Sequence, residues 1–133
     1  MDTILLDTDV TSYIIKDLPV AAIFRPIVFG NRVAVSFMTL AEIHEGIFRS
    51  NWGEVKKQRI ADGLQQFVLL PFTVNVCEIW GRIRAERKHQ PISGGDAWIA
   101  ATSIAYQLPL LTNNEKHFHG ITGLNLLRVP LPQ

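Results

Sequence analysis

Short runs of apolar residues alternate along the chain with longer segments in which apolar residues recur at helical spacing. This alternation is typical of α/β proteins, in which helices cover both faces of a parallel sheet. The apolar runs consist mostly of uninterrupted Val, Ile and Leu, as expected for strands buried on both faces. They predict five strands, at residues 3–6, 33–35, 68–70, 110–111 and 124–129.

The longer segments between these strands predict the helices. They cover residues 11–15 with an expected continuation over 20–27, and then residues 39–49, 54–67, 74–88 and 96–107. Pro71, Pro91 and Pro109 fall between the periodic segments, where a missing backbone N–H does no harm. The pattern therefore predicts a three-layer αβα sandwich with a central, mostly parallel five-stranded sheet.

Length and composition limit the chain to one folded domain. The 133 residues are 47% hydrophobic and have a mean hydropathy of +0.15, which excludes a disordered protein. We therefore expect a single domain over residues 1–133. Thirteen Lys and Arg against twelve Asp and Glu give a net charge of +1. That balance is too weak to attract a nucleic acid at long range, so any such partner must be recognised locally.

The sequence also bears on the compartment. Cys77 is the only cysteine, so it forms no internal disulfide, and its neighbours Val76 and Ile79 favour a place in the core. The first nine residues lack the basic and apolar regions of a signal peptide. No apolar run approaches the roughly 18–20 residues needed to cross a bilayer. We therefore expect a cytoplasmic protein that does not enter a membrane.

Carboxylates lie close to the ends of several predicted strands. Asp7 and Asp9 follow the first strand directly, and Glu42 lies one turn into the helix after the second. Asp96 opens the helix that leads into the fourth strand. Ligands of open parallel sheets bind at the carboxyl ends of the strands. Carboxylates gathered there repel one another unless a hard divalent cation holds them together, so Mg²⁺ or Mn²⁺ is the expected ion.

Three of these acids also have a purely structural interpretation. Asp9 fits the N-cap of the first helix, where its carboxylate would accept from free backbone N–H groups. Glu42 completes Thr39-x-x-Glu42 and Asp96 completes Ser93-x-x-Asp96, both of which have the form of a capping box. Capping alone would explain either acid.

A helical wheel adds a further alternative for Glu42. It places Glu42 nearly opposite the apolar stripe, on a face that would be solvated. The stripe consists of Leu40, Ile43, Ile47 and Phe48. Asp7 is different, because it ends a buried strand at the point where that strand meets the ligand-binding edge, which favours a functional role. The four histidines show no zinc-type spacing and are interpreted as surface or turn residues.

Four segments of the chain, taken in order, resemble one known family. They are LLDTDV at residues 5–10, VSFMTLAEIHEG at 35–46, DAWIAA at 96–101 and LLTNNEKHF at 110–118. Together they resemble the PIN-domain family, and more narrowly the VapC-type toxins of bacterial toxin–antitoxin pairs. The similarity spans nearly the full chain.

The resemblance implies a Mg²⁺- or Mn²⁺-dependent endoribonuclease with Asp7, Glu42 and Asp96 as catalytic and metal-binding acids. It therefore favours a functional role for Glu42 over a solvated one. It implies a structured RNA substrate, often transfer RNA, that is cut in a single-stranded loop. It also implies that the chain forms a homodimer and is inhibited by a small antitoxin protein, and apolar residues are abundant on the helical segments 20–29 and 37–48.

Two positions depart from the family pattern. Asp9 stands where the family often has Asn, and Asn114 stands where many PIN nucleases have Asp. Asn114 carries no charge to hold a second ion, although Asn also occurs here among VapC-type toxins. Thr112 is expected to support the site by orienting the metal ligands or a water molecule through its hydroxyl.

Basic residues near the end of one predicted helix offer a contact for RNA phosphates. They are Arg82, Arg84, Arg87 and Lys88. Cations near a helix C-terminus also stabilise its dipole, and Arg82 can pair with Glu86 four residues later, so both interpretations stay open.

Two other functions compete with the nuclease. Asp7-Thr8-Asp9-Val10-Thr11 also fits the nucleophile loop of a haloacid-dehalogenase-type phosphatase. That family needs a lysine and then further acids after the strand that ends at Thr112, whereas Glu115 is the only acid beyond it and precedes Lys116. The second alternative is a non-catalytic PIN-like module that binds RNA or protein, and only an assay separates it from a nuclease.

Overall fold

The computed structural model describes residues 2–129. Five strands form one sheet in the order β3-β2-β1-β4-β5, and all four pairings in it are parallel. The strands are β1 (Thr3–Leu6), β2 (Arg32–Ser36), β3 (Val68–Leu70), β4 (Leu110–Leu111) and β5 (Leu126–Leu127). Strands β2 and β3 extend the sheet on one side of β1, and strands β4 and β5, which follow later in the chain, extend it on the other side. The point where the direction reverses therefore lies between β1 and β4, at the centre of the sheet.

Seven helices connect and cover the strands within residues 2–129. They are α1 (Thr8–Ile15), α2 (Ala21–Phe29), α3 (Phe37–Arg49), α4 (Glu54–Leu64), α5 (Val74–Glu86), α6 (Gly94–Ala105) and α7 (Glu115–Phe118). No helix of this part of the chain combines the length and apolar character required to cross a membrane.

Strands β1, β2 and β4 bury side chains on both faces, as their apolar sequences predict, whereas Val68 and Leu69 of the edge strand β3 are 43% and 40% exposed. Leu5 and Leu110 pack with residues of α5 and α6 on one face. Leu6 and Leu111 pack with residues of α1 and α2 on the other. A third, smaller cluster joins α3 to α4. The predicted three-layer α/β arrangement is confirmed, with a sheet that is parallel throughout the described residues.

The expected continuation of the first helix over residues 20–27 is wrong. Helix α1 ends at Ile15 with Lys16 as its C-cap, and Asp17 takes a positive φ of 55°, which no right-handed helix accommodates. Helix α2 is therefore a separate element. Helix α7, a single turn, was not predicted, because its four residues are too few to show a periodic pattern.

Two of the three capping expectations are wrong. Helix α1 begins at Thr8 and its N-cap is Asp7, not Asp9. Helix α3 begins at Phe37 and is capped by Ser36, so Thr39 lies inside the first turn and forms no capping box with Glu42. In both cases the residue that ends or follows the strand also caps the next helix. Ser93 caps α6 as expected, with its side-chain oxygen accepting from the Asp96 N–H.

Two apolar assignments are also corrected. Cys77 is exposed rather than in the core, because α5 turns Val76 and Ile83 inward instead. Phe48, assigned to the buried stripe of α3, is 83% exposed. The buried residues of α3 are Thr39 and Ile43, so the helix contacts the core mainly through its first half.

Candidate active site

The candidate site begins where β1 and β4 end side by side. Leu6 pairs with Leu111 in the sheet, which places the next residues, Asp7 and Thr112, next to each other. The Thr112 hydroxyl Oγ1 donates a hydrogen bond to Asp7 Oδ2 at 2.5 Å, across 105 positions of sequence. Both side chains are buried. The sheet therefore gives Asp7 a fixed hydrogen-bond donor at its reversal point.

The second carboxylate oxygen of Asp7 is fixed by helix α1. The backbone N–H of Val10 donates to Asp7 Oδ1 at 2.9 Å, so the N-cap bond also prevents rotation of the carboxylate. Burial raises the pKa of Asp7 to about 6, against the lowering effect of the bonds from Thr112 and Val10. The negative charges of Asp9 and Asp96 raise the pKa further. Asp7 is thus a buried, oriented acid within the electrostatic reach of two others.

The carboxylate of Glu42 is oriented by a hydrogen bond from helix α1. The Thr8 hydroxyl donates to Glu42 Oε1 at 2.7 Å, and the Thr8 and Thr39 hydroxyl oxygens are 3.0 Å apart. Helix α6 also approaches closely, because a Cβ at Gly95 would lie 3.4 Å from Glu42 Oε2. Glu42 is therefore half-buried between helices rather than on a solvated face, contrary to the helical-wheel interpretation.

The pKa of Glu42 is raised by the same kinds of interaction that raise the pKa of Asp7. Burial is the main cause that raises its pKa, and the hydrogen bond from Thr8 opposes the shift. The nearby charges of Asp96, Asp9 and Glu45 raise the pKa further. Asp7 and Glu42 both respond to Asp9 and Asp96, so the four acids named from the sequence form one interacting group.

Asp96 lies in the first turn of α6 and contacts His117 of helix α7. Its Oδ2 is 3.1 Å from His117 Nδ1, and its side chain is 28% exposed. Asn114 Nδ2 is 3.0 Å from the same ring nitrogen, and the Asn114 N–H donates to Thr112 Oγ1 at 2.9 Å. A continuous series of polar contacts therefore runs from Asp7 through Thr112, Asn114 and His117 to Asp96.

Sequence reasoning missed the contact made by His117. The histidine is exposed, as expected, but it also faces Asp96, which lies 21 residues earlier in the chain. Its position three residues after Asn114 could have indicated the contact between those two residues, because a single helical turn places them on one side, but not the contact with Asp96.

The oxygen ligands of this site fit a hard divalent cation. No three His, Cys, Asp or Glu side chains within residues 2–129 are grouped tightly enough to enclose a metal ion. Mg²⁺ does not require such an enclosure, because it keeps several of its waters and uses one or two carboxylates together with substrate phosphates. The negative charge of Asp96 raises the cost of ionising both Asp7 and Glu42, and a cation among the three carboxylates would relieve that repulsion.

Residues 4–123 match the PIN domain family. The chain belongs to the PIN-domain family. It is 30% identical over 124 residues to Ribonuclease VapC1 of Haemophilus influenzae strain R2866, covering 90% of this chain and 92% of the relative. This result excludes the haloacid-dehalogenase alternative.

Solved structures show the same fold. VapBC2 from Rickettsia felis, bound to a DNA fragment from its promoter, superposes with a TM-score of 0.81 at 27% identity, over 98% of this chain and 100% of the other. VapBC-1 from nontypeable Haemophilus influenzae gives a TM-score of 0.80 at 29% identity, over 96% and 97% of the two chains. The PIN-domain chain is thus similar to VapC proteins along nearly its whole length.

The arginines in and directly after α5 of this PIN domain have partners within the chain. Arg82 contacts Glu86 and donates to the Thr122 carbonyl. Arg84 donates to the Ile92 carbonyl at 2.7 Å and lies over the Trp80 ring. Arg87 donates to the carbonyls of Gln90 and His119, and Lys88 is exposed. The arginines therefore hold neighbouring loops, and part of each guanidinium is already in use.

Proposed function

We propose that this PIN-domain protein is a divalent-metal-dependent endoribonuclease and the toxin of a type II toxin–antitoxin pair. The observation that carries the proposal is the buried Asp7 carboxylate, which is oriented by Thr112 and Val10 and lies within reach of the charges of Asp9 and Asp96. Structural proteins seldom keep such a group, because burying a carboxylate beside other negative charges is unfavourable. The ribonuclease relative and the VapBC structures support the same activity.

Asp7, Glu42 and Asp96 would hold the ion, Mg²⁺ or Mn²⁺. When bound, such an ion lowers the pKa of water and polarises a phosphodiester, which suits hydrolysis of RNA. The chain itself supplies orientation: Thr112 fixes the carboxylate of Asp7, and Thr8 fixes that of Glu42. Their hydroxyl hydrogens point to one oxygen each, which leaves further lone pairs of both carboxylates available to a cation.

Asp9 and Asn114 have supporting roles in this proposal. Asp9 lies in the first turn of α1 and adds negative potential to the site. Asn114 contributes a neutral amide and connects Thr112 to His117. Since an amide adds no charge, the site favours a single tightly bound ion over two.

The proposed substrate is a structured RNA, such as a transfer RNA, cut in a loop whose bases are free to splay out. Arg82, Arg84, Arg87 and Lys88 are proposed to contact its phosphates through donors that the chain leaves unused. The proposed partners are a small antitoxin, with an arginine that faces the acids, and a second copy of the chain. Phe48 at 83% and Phe29 at 75% exposure supply apolar surface for such contacts.

An RNA cleavage assay tests the proposal. The purified chain should cut structured RNA with Mn²⁺ and stop when EDTA is added, and Asp7→Asn and Asp96→Asn should each abolish cleavage while the circular dichroism spectrum stays unchanged. RNA binding without cleavage under all metal conditions would instead establish the non-catalytic module. Full activity of either variant would remove that residue from the site.

A further inference from the structure

Two lysines and a tryptophan form a separate group of side chains, the Lys16–Trp52–Lys56 cluster. Lys16 is the C-cap of α1, Trp52 lies between α3 and α4, and Lys56 lies in the first turn of α4. The Lys16 Nζ is 5.0 Å from the centroid of the Trp52 ring, and the Lys56 Nζ is 4.2 Å from it. Separate elements thus bring two positive charges to one indole.

Packing alone does not account for this arrangement. Trp52 is held by its contact with the buried cluster of Ile43, Ile60 and Leu64, and one ammonium would complete a cation–π contact. A second ammonium at the same ring adds repulsion between like charges. Asp17, the neighbour of Lys16, is bound by Arg25. Neither lysine belongs to an ion pair among residues 2–129, so the charge of the cluster is available to a ligand.

The cluster lies beside the candidate active site. A small pocket of about 60 Å³ is lined by Lys16 and Trp52 of the cluster and by Thr8 and Glu42 of the site. Glu42 is the carboxylate held by Thr8, and Lys16 forms no ion pair with it. Lys16 and Trp52 therefore lie at the edge of the site, and Lys56 adjoins them through its contact with the Trp52 ring.

We propose that the Lys16–Trp52–Lys56 cluster binds backbone phosphates of the RNA strand on the Glu42 side of the cleavage site. This proposal rests on the ribonuclease function proposed above. A lysine ammonium is a compact charge with three donors, which suits phosphate oxygens. Trp52 acts as a positioning residue, because its ring holds both ammonium groups at the edge of the site.

Such a cluster would explain how a chain of net charge +1 holds a polyanion. The acids of the site repel phosphates, so the strand needs local positive charge on either side of them. The arginines of α5 spend part of their donors on the backbone, whereas Lys16 and Lys56 join no ion pair within the described residues. Fixing the phosphates beside Glu42 would also determine which bond lies over Asp7.

Binding measurements test the proposal directly. In an Asp7→Asn background, which keeps RNA uncut, a labelled single-stranded RNA is titrated against Lys16→Gln, Lys56→Gln and the double variant. We expect each change to weaken binding by roughly fivefold, the effect of one exposed ion pair. The salt slope of the binding constant should fall by about 0.7 for each lysine removed. The matched control is a variant that combines Lys57→Gln and Arg59→Gln on α4. It has the same change in net charge as the double variant of Lys16 and Lys56.

The outcomes separate this proposal from the proposed function. If the parent chain cleaves RNA but the double variant and the control bind RNA equally well, the proposed role of the cluster is wrong. The proposed nuclease function then still stands. Absence of both RNA binding and cleavage in the parent would overturn both. A double variant that binds RNA normally but no longer binds the antitoxin would overturn the proposal and show that the cluster contacts protein instead.

Lysine footprinting gives a second test that needs no change to the cluster. The Asp7→Asn protein is acetylated with and without the RNA, and the modified lysines are measured by mass spectrometry. RNA should protect Lys16 and Lys56 several-fold more than Lys57, which follows Lys56 on α4. Equal protection of all three lysines, or protection of none, would overturn the proposal even if the double variant failed to fold.

Discussion

Asp7 is both the N-cap of helix α1 and the buried acid of the candidate active site. Its carboxylate caps α1 through Val10, which stabilises the helix, and its burial raises the pKa to about 6, which makes ionisation costly. The same hydrogen bonds that orient the side chain for a cation therefore also moderate the cost of keeping it charged.

The raised pKa of Asp7 predicts how stability depends on pH. The carboxyl has a usual pKa of 3.8 and one of about 6 in the folded protein. Between these values the folded state holds a proton that the unfolded chain has released, so stability without metal falls as the pH rises from about 4 to 6. Asp7→Asn should remove this dependence and raise the free energy of unfolding above pH 6 by at most about 3 kcal/mol.

Urea denaturation of parent and variant at pH 4 and pH 7, with EDTA present, measures this effect. The two proteins should be nearly equal in stability at pH 4 and differ at pH 7. A variant less stable than the parent at pH 7 would contradict the proposed penalty.

His117 is predicted to position Asp96. Because its ring contacts Asp96 Oδ2 and its side chain is 55% exposed, His117→Ala should leave the melting temperature nearly unchanged. It should weaken Mn²⁺ binding by about 10–100-fold, as loss of a ligand's supporting contact does. Isothermal titration with Mn²⁺ measures the change, with His119→Ala as the control. Equal metal affinity in the two variants would show that His117 has no such role.

At the scale of elements, the approach of α6 to α3 controls the space around Glu42. A methyl group at Gly95 would lie 3.4 Å from Glu42 Oε2, whereas one at Gly94 has only an Arg84 nitrogen at 4.0 Å. Gly95→Ala should crowd and desolvate the carboxylate and lower cleavage by roughly tenfold. Its melting temperature should not fall, because alanine favours the helix. Gly94→Ala is the control and should retain activity in the same cleavage assay.

Helices α1 and α4 are packed through a glycine. A Cβ at Gly63 would lie 2.9 Å from Ile15 Cγ2, and Ile15 is stiff because it branches at Cβ. Gly63→Ala should therefore lower the free energy of unfolding by about 1–3 kcal/mol. Gly81→Ala in α5, where nothing lies within 4 Å of the new methyl, should raise it by up to about 1 kcal/mol. Thermal melts of the two variants should move in opposite directions.

The elements also show what the sequence could and could not predict. Strands β1, β3 and β4 were predicted with their observed bounds, because each is a short run of apolar residues. The burial expected for β3 is wrong, since it lies at the edge of the sheet with Val68 and Leu69 exposed. The start of α3 was missed, since Ser36 both ends β2 and caps the helix. Phe48 was misplaced, because periodicity marks the face of a helix but not how far the core extends along it. The polar contact of His117 with Asp96 depends on the packing of α7 near α6, which no local pattern contains.

For the molecule as a whole, a divalent cation should act as a stabilising ligand. An ion that binds only the folded state raises the free energy of unfolding by about 2.7 kcal/mol at a concentration 100 times its dissociation constant. For a chain of this size the melting temperature should rise by roughly 5–10 °C with Mn²⁺. Asp7→Asn should show a much smaller rise. Equal shifts in parent and variant would place the ion away from Asp7.

The hydrogen bond between Thr112 and Asp7 joins residues 105 positions apart, and this separation bears on how the protein is made. Because translation runs from the N-terminus, Thr112 is made 105 residues after Asp7. During that interval the nascent chain lacks the donor that orients this carboxylate. Strand β4 must also be made before it can pair with β1. The proposed active site therefore stays incomplete while these 105 residues are being made, which gives the cell that produces the protein time to supply the proposed antitoxin.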